Sequence, residues 1–108
     1  MSGSEARGKS NFREERFLMK VYLVVNDWAT EDANDVSITV FDSFEKAKDE
    51  LLKQRAEEIN ECWEQAFDNG EISQGYCLDE NDFLFEIWED GYYVTSHTRI
   101  QIIEKEVN

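Results

Sequence analysis

Residues 42–70 read DSFEKAKDELLKQRAEEINECWEQAFDNG, and what this stretch becomes decides how the rest of the chain can be arranged. Phe44, Ala47, Leu51, Ala56, Ile59, Trp63 and Phe67 recur at three-, four- and five-residue steps, the spacing that lines one face of an α-helix. Asp42, with Glu45 three residues on, has the form of a capped helix start, and Asn69-Gly70 that of a stop. The spacing predicts one helix over 43–68. At about 1.5 Å per residue it would be about 39 Å long, more than a small sheet can cover, so its C-terminal part is expected to protrude.

Strand patterns lie on both sides of this helix. MKVYLVVND (residues 19–27) is rich in β-branched and aromatic residues and reads as a buried strand. DVSITVFD (residues 35–42) alternates Val36, Ile38 and Val40 with Ser37, Thr39 and Phe41, which predicts a hairpin with the first strand and one apolar face. After a loop holding Gly70 and Gly75, DFLFEIW and YYVTSHTRIQII flank Glu89-Asp90-Gly91. An Asp-Gly pair suits a type I′ turn, which needs positive φ at both central residues. That turn would set Ile87 opposite Val94, Phe85 opposite Ser96, Phe83 opposite Thr98 and Trp88 against Tyr93. The expected fold class is therefore α+β: a small antiparallel sheet, in β-β-α-β-β order, packed on one long amphipathic helix.

Residues 1–18 differ from the rest, with Gly3, Gly8 and three serines, four cations against three acids, and almost no apolar periodicity. They read as a flexible tail or leader ahead of a single domain over 19–108. The 108 residues suit one core of modest size. A content of 41% hydrophobic and 13% aromatic residues supplies the apolar area that disordered sequences lack.

The formal charge is −14, from 25 Asp and Glu against 11 Lys and Arg. Direct binding to nucleic acid or to an anionic membrane is excluded on that ground, because both need Lys and Arg to displace counterions. The first eighteen residues hold only Phe17 and Leu18 as an apolar end, well short of a secretory signal's apolar run of roughly 7 to 15 residues. No stretch approaches the roughly 20 apolar residues of a membrane helix. A cytoplasmic protein with Cys62 and Cys77 reduced is expected.

Catalytic and metal signatures are sparse. His97 is the single histidine, on a predicted strand, and neither cysteine is close to it in sequence. A small hydrolase using His97 is one alternative reading. Two cysteines and one histidine at these spacings do not form a zinc site. Residues 68–79 have the length of a calcium loop but put Gly70, Ile72, Ser73 and Asp79 where that loop needs two Asp or Asn residues, Gly and Glu. Phosphate-cradling glycine loops and dinucleotide fingerprints are absent, so no cofactor, metal or catalytic residue is expected.

What stands out is where the charge lies. Residues 56–98 contain twelve carboxylates and no Lys or Arg. Along the predicted helix Glu45 with Lys48, and Asp49 with Lys53, are opposite-charge neighbours, whereas Glu57, Glu61, Glu64 and Asp68 form a like-charged stripe running into the C-terminal turns. Each like pair costs a few tenths of a kcal/mol, and an anion at the C-terminal end costs roughly 0.3 to 1 kcal/mol more. With Glu71, Asp79, Glu80 and Asp82 from the following loop, the stripe is the candidate partner-binding surface. The function expected from it is that of a non-enzymatic, inhibitor-like module docking a basic, nucleic-acid-binding surface of a partner protein. Trp28, Tyr76, Trp88, Tyr92 and Tyr93 are the aromatics near this charge, and interface cores favour Trp and Tyr. Small size, acidity and the lack of a catalytic motif resemble phage anti-restriction and anti-CRISPR inhibitors and bacterial immunity proteins in composition, with no shared motif. The alternative is a small acidic domain whose charge is only a solvated surface.

Overall fold

The computed structural model describes residues 19–91 and 96–107. The expected tail over 1–18, and Tyr92, Tyr93 and Val94 with the pairings expected of them, lie outside these residues. Among these residues the architecture is α+β: a five-stranded antiparallel sheet, a two-stranded hairpin and one α-helix. In chain order the elements are β1 (Met19–Ala29), β2 (Asn34–Phe41), α1 (Phe44–Cys62), a 3₁₀ turn (Glu64–Ala66), a short hairpin of β3 (Phe67–Asp68) and β4 (Glu71–Ile72), then β5 (Tyr76–Asn81), β6 (Leu84–Glu89) and β7 (His97–Val107). The sheet order is β2-β1-β7-β6-β5.

The β1–β2 hairpin forms as its pattern indicates, with Val25 opposite Ile38 and Leu23 opposite Val40. Thr30 closes the connection: its hydroxyl accepts from the amides of Asp32 and Ala33, and its own amide donates to the Ala33 carbonyl at 2.7 Å. These bonds hold backbone groups that the short loop would leave without partners.

Three departures from the sequence reading have physical causes. First, the helix ends at Cys62, not Asp68, and at about 28 Å it is matched to the sheet instead of overhanging it. Ser43, not Asp42, is the N-cap, its hydroxyl accepting from the Lys46 amide at 3.2 Å, while Asp42 forms an ion pair with the Lys46 side chain. At the other end the Trp63 amide is shared between the carbonyls of Glu58 and Ile59, and the chain turns inward. The turn buries Trp63 and Ala66, side chains that a straight helix would carry past the sheet. Asn69-Gly70 is therefore no helix stop. It is the two-residue turn of the β3–β4 hairpin, with φ of +53° and +82° as a type I′ turn requires.

Second, residues 76–81, read as loop, form edge strand β5. Its alternation is genuine but mixed: Tyr76, Leu78 and Glu80 face the helix and Cys77, Asp79 and Asn81 face away, so the acids hide an apolar side only two residues long. The order expected as β-β-α-β-β thus holds five sheet strands and an added hairpin. Phe83 sits in the turn between β5 and β6, where the Asn81 side chain accepts from its amide at 2.8 Å.

Third, β6 and β7 pair four residues away from the register of an Asp90-Gly91 turn. Trp88 lies opposite His97, Ile87 opposite Thr98 and Phe85 opposite Ile100. An even shift keeps every side chain on its face, and this one sets the fully buried Phe85 beside the fully buried Ile100 instead of Ser96. The Asp90 amide donates to the Gly75 carbonyl at 2.8 Å, bonding to the preceding loop and not across a tight turn.

The core lies between α1 and one face of the sheet. Ala47 and Leu51 of the helix meet Val24, Phe85, Ile87, Ile100 and Ile102, with Trp63 and Ala66 closing the end. At the helix start Phe44 contacts the rings of Tyr22 and Phe83. Among the described residues no helix is long and apolar enough to cross a membrane.

Candidate functional site

Beyond the last turn of α1 the inward turn of the chain leaves a cleft of about 400 Å³, within the roughly 300–1,000 Å³ of small-ligand pockets. Its walls include the end of β1 (Trp28), the end of α1 (Glu58, Glu61), the helix cap (Trp63), the start of β5 (Tyr76) and the end of β6 (Glu89). Thr98 of β7 also lines it, with His97 and Cys62 beside it.

Trp63 is the hinge of this arrangement. Capping the helix directs its indole onto the sheet, where Nε1 donates to Thr98 Oγ1 at 3.0 Å. The Thr98 hydroxyl in turn donates to Glu58 Oε1 at 3.3 Å. One buried hydroxyl thus joins an aromatic of the cap to a carboxylate of the helix and satisfies both polar atoms. Tyr76 meets Trp63 edge-on, with centroids 6.2 Å apart. Asn26 lies in the same buried layer and donates to Gln54, which donates to Glu50.

The electrostatics are one-sided. Burial pushes the Glu58 carboxyl above the usual glutamate range, the Thr98 and Asn26 side chains pull it back in part, and Glu61 and Glu57 add to the rise. The last turn of α1 carries no basic residue, so the negative end of the helix dipole adds to these carboxylates. Among the described residues lining the cleft there is no Lys or Arg. An acid-walled, aromatic-floored cleft of this kind has the chemistry to hold an organic cation such as a guanidinium or ammonium group.

The eight acids picked out in the sequence are not one stripe. Glu57 and Glu61 are exposed on α1, Glu64 is on the 3₁₀ turn, and Asp68 and Glu71 face each other across the β3–β4 hairpin. Strand alternation sends Asp79 to the face away from the helix, while Glu80 turns toward the helix and takes a bidentate contact from Arg55. Asp82 lies 3.8 Å from Lys48. Glu61 and Glu64 are brought together at a shallow depression beside the cleft. In sequence, Glu58 and Glu89 differ in nothing from the other ten carboxylates of residues 56–98. Trp63 read as an ordinary core position of the helix. Trp28 and Tyr76, picked out as aromatics near charge, do line the cleft, and Trp88 lies on the far face of the sheet.

His97 Nε2 is 3.1 Å from Glu86 Oε2. Cys77, Trp88 and His97 form one row across β5, β6 and β7, which places the tryptophan between the thiol and the imidazole. Burial pushes both thiols above their usual value, helped by Glu58 and Glu61 at Cys62 and by Asp90 at Cys77. That direction works against a thiolate nucleophile. Among the described residues no three His, Cys, Asp or Glu side chains converge on a position for a metal ion. Compared with known proteins, the chain matches no family model, no curated protein and no solved structure.

Proposed function

We propose that this chain is a non-enzymatic, acidic binding module that docks a basic surface of a partner protein, and that the cleft at the end of α1 receives one of that partner's Lys or Arg side chains. The observation that carries the reading is the meeting, in one cleft, of Trp28, Trp63 and Tyr76 with Glu58 and Glu61 at a helix C-terminus. A cation over an aromatic face gains about 0.5–1 kcal/mol when exposed and about 2 kcal/mol when desolvated. The dipole adds about 0.3–1 kcal/mol. The exposed Glu57 and Glu64 extend the negative field around the mouth and speed the approach of a basic partner. Bound there, the module acts as an inhibitor does, by occupying a surface that the partner uses for nucleic acid.

Tryptophan emission tests this directly. An arginine-rich peptide is expected to change the fluorescence of the wild-type chain and to bind progressively more weakly as salt rises past about 0.1 M, where the Debye length is about 10 Å. Glu61→Gln combined with Trp28→Phe should weaken binding about tenfold, which is about 1.4 kcal/mol. An acidic peptide binding equally well, or the double variant binding the arginine peptide as tightly as wild type, would sink the reading.

A further inference from the structure

The face of the sheet turned away from α1 has the wrong chemistry for a surface in water. Val36, Ile38 and Val40 of β2 are 53%, 60% and 58% exposed there, while their neighbours Ser37 and Thr39 point to the helix side. The apolar alternation of β2 therefore points away from the helix. Leu23 sits between Val40 and Ile103, and Met19 lies beside Val107, so apolar side chains extend across β2, β1 and β7 with Lys105, opposite Val21, interrupting them on β7. Among the described residues no element covers them.

The extent of this surface bears on what covers it. Its exposed apolar area is on the order of 600 Å², at the upper end of the roughly 300–600 Å² that the largest patch of a monomer reaches. It is most of the roughly 800 Å² that each partner contributes to a standard interface. Its charge bears on the question too. On a chain of formal charge −14, the outer face carries few ions: Arg99 is 3.6 Å from Asp27, Lys105 lies opposite Val21, and Glu86 and Asp79 are the other acids on that side. The acids of α1 and the cleft lie on the other side of the sheet. Two copies of so acidic a chain repel each other through most orientations, and least through this one.

We infer that a second copy of the chain covers this face, packing outer sheet on outer sheet to give a homodimer with layers in the order helix, sheet, sheet, helix. A two-fold axis makes the patch self-complementary. Face-to-face sheets sit about 10 Å apart, which leaves both clefts on the outside of the assembly and free.

Light scattering coupled to size exclusion on the whole chain should give a mass of twice 12.7 kDa. Ile38→Lys should give single copies with an unchanged circular dichroism spectrum. The near-isosteric pair Val36→Thr and Val40→Thr, mild enough to leave the fold intact should the lysine variant fail to fold, should raise the dimer dissociation constant at least tenfold. Glu57→Gln should leave the mass as it is. A wild-type chain running as a single copy at micromolar concentration overturns the inference. So does a dimer indifferent to the threonine pair, since association would then run through the backbone edge of β2 and not through its side chains.

Discussion

The two faces of the one sheet divide the physical chemistry of the molecule between them. On the helix side, apolar side chains are fully buried, and polar groups such as the Thr98 hydroxyl and the Asn26 amide nitrogen are admitted where hydrogen-bond partners await them. That side also holds the acid-walled cleft. On the other side, β-branched side chains lie open and ions are few. A strand is amphipathic in either direction, and its pattern states only that one side is apolar. Which side meets the helix is set by the neighbours: β7, β6 and β5 present Ile100, Phe85 and Leu78 to α1, and β2 follows β1 into the register that leaves Ser37 and Thr39 beneath the helix side.

The widest gap between the faces should appear on truncation. Phe85→Ala, on the helix side, is expected to cost about 3–5 kcal/mol in urea unfolding, because a fully buried ring leaves a cavity. Ile38→Ala on the open side should cost under about 1 kcal/mol when measured dilute enough for single copies. Similar losses at both positions would abolish the distinction.

A smaller effect sharpens the picture of the helix side. Trp63→Phe removes the indole N–H while leaving the Thr98 hydroxyl free to donate to Glu58, so the loss should be about 1–2 kcal/mol. Equilibrium denaturation of this variant beside Thr98→Val would show whether the two bonds act as a unit.

The smallest effect, and one of opposite sign, belongs to Glu58→Gln. Burial raises the Glu58 pKa in the folded chain above its unfolded value, so between those two values the folded state holds more protons than the unfolded state. Stability from this group therefore falls as pH rises through that window, and the penalty persists at neutral pH. Glutamine keeps the acceptor for Thr98 without the charge. The variant should melt slightly higher at pH 7, equal wild type in mild acid, and lose the part of the pH dependence just above the usual glutamate range. A lower melting temperature at pH 7 would mean that the carboxylate is stabilised where it sits.

Much of the fold was legible in the residues, and the failures are instructive. Strand β1, the β1–β2 hairpin and the α+β class follow from local pattern, which acts over a few residues. The helix end did not, because Trp63 keeps helical spacing while its burial depends on a threonine 35 positions away. The two Asn/Asp-Gly pairs also departed from their local signals. Asn69-Gly70 makes the type I′ turn, and at Asp90-Gly91 the amide is taken by Gly75. The candidate site was legible only as charge. Composition announced an acidic surface, but strand alternation and ion pairs with Arg55 and Lys48 set Asp79, Glu80 and Asp82 apart, whereas the turn at Trp63 gathered Glu58 and Glu61 with aromatics from distant strands.

The pairing of β1 with β7 also governs how the molecule is made. Both are inner strands of the sheet and run alongside each other for eleven residues, from Met19 beside Val107 to Ala29 beside His97, yet among the described residues they are the first and last strands. Their union closes loops of roughly 70 to 90 residues, an entropic cost met before the central ladder returns anything. On a ribosome, β1 must wait for the last strand to emerge, with only β2 at its side and the apolar alternation of both exposed. A pairing of such long sequence separation predicts folding on the millisecond-to-second scale of non-local sheets, which stopped-flow refolding would check.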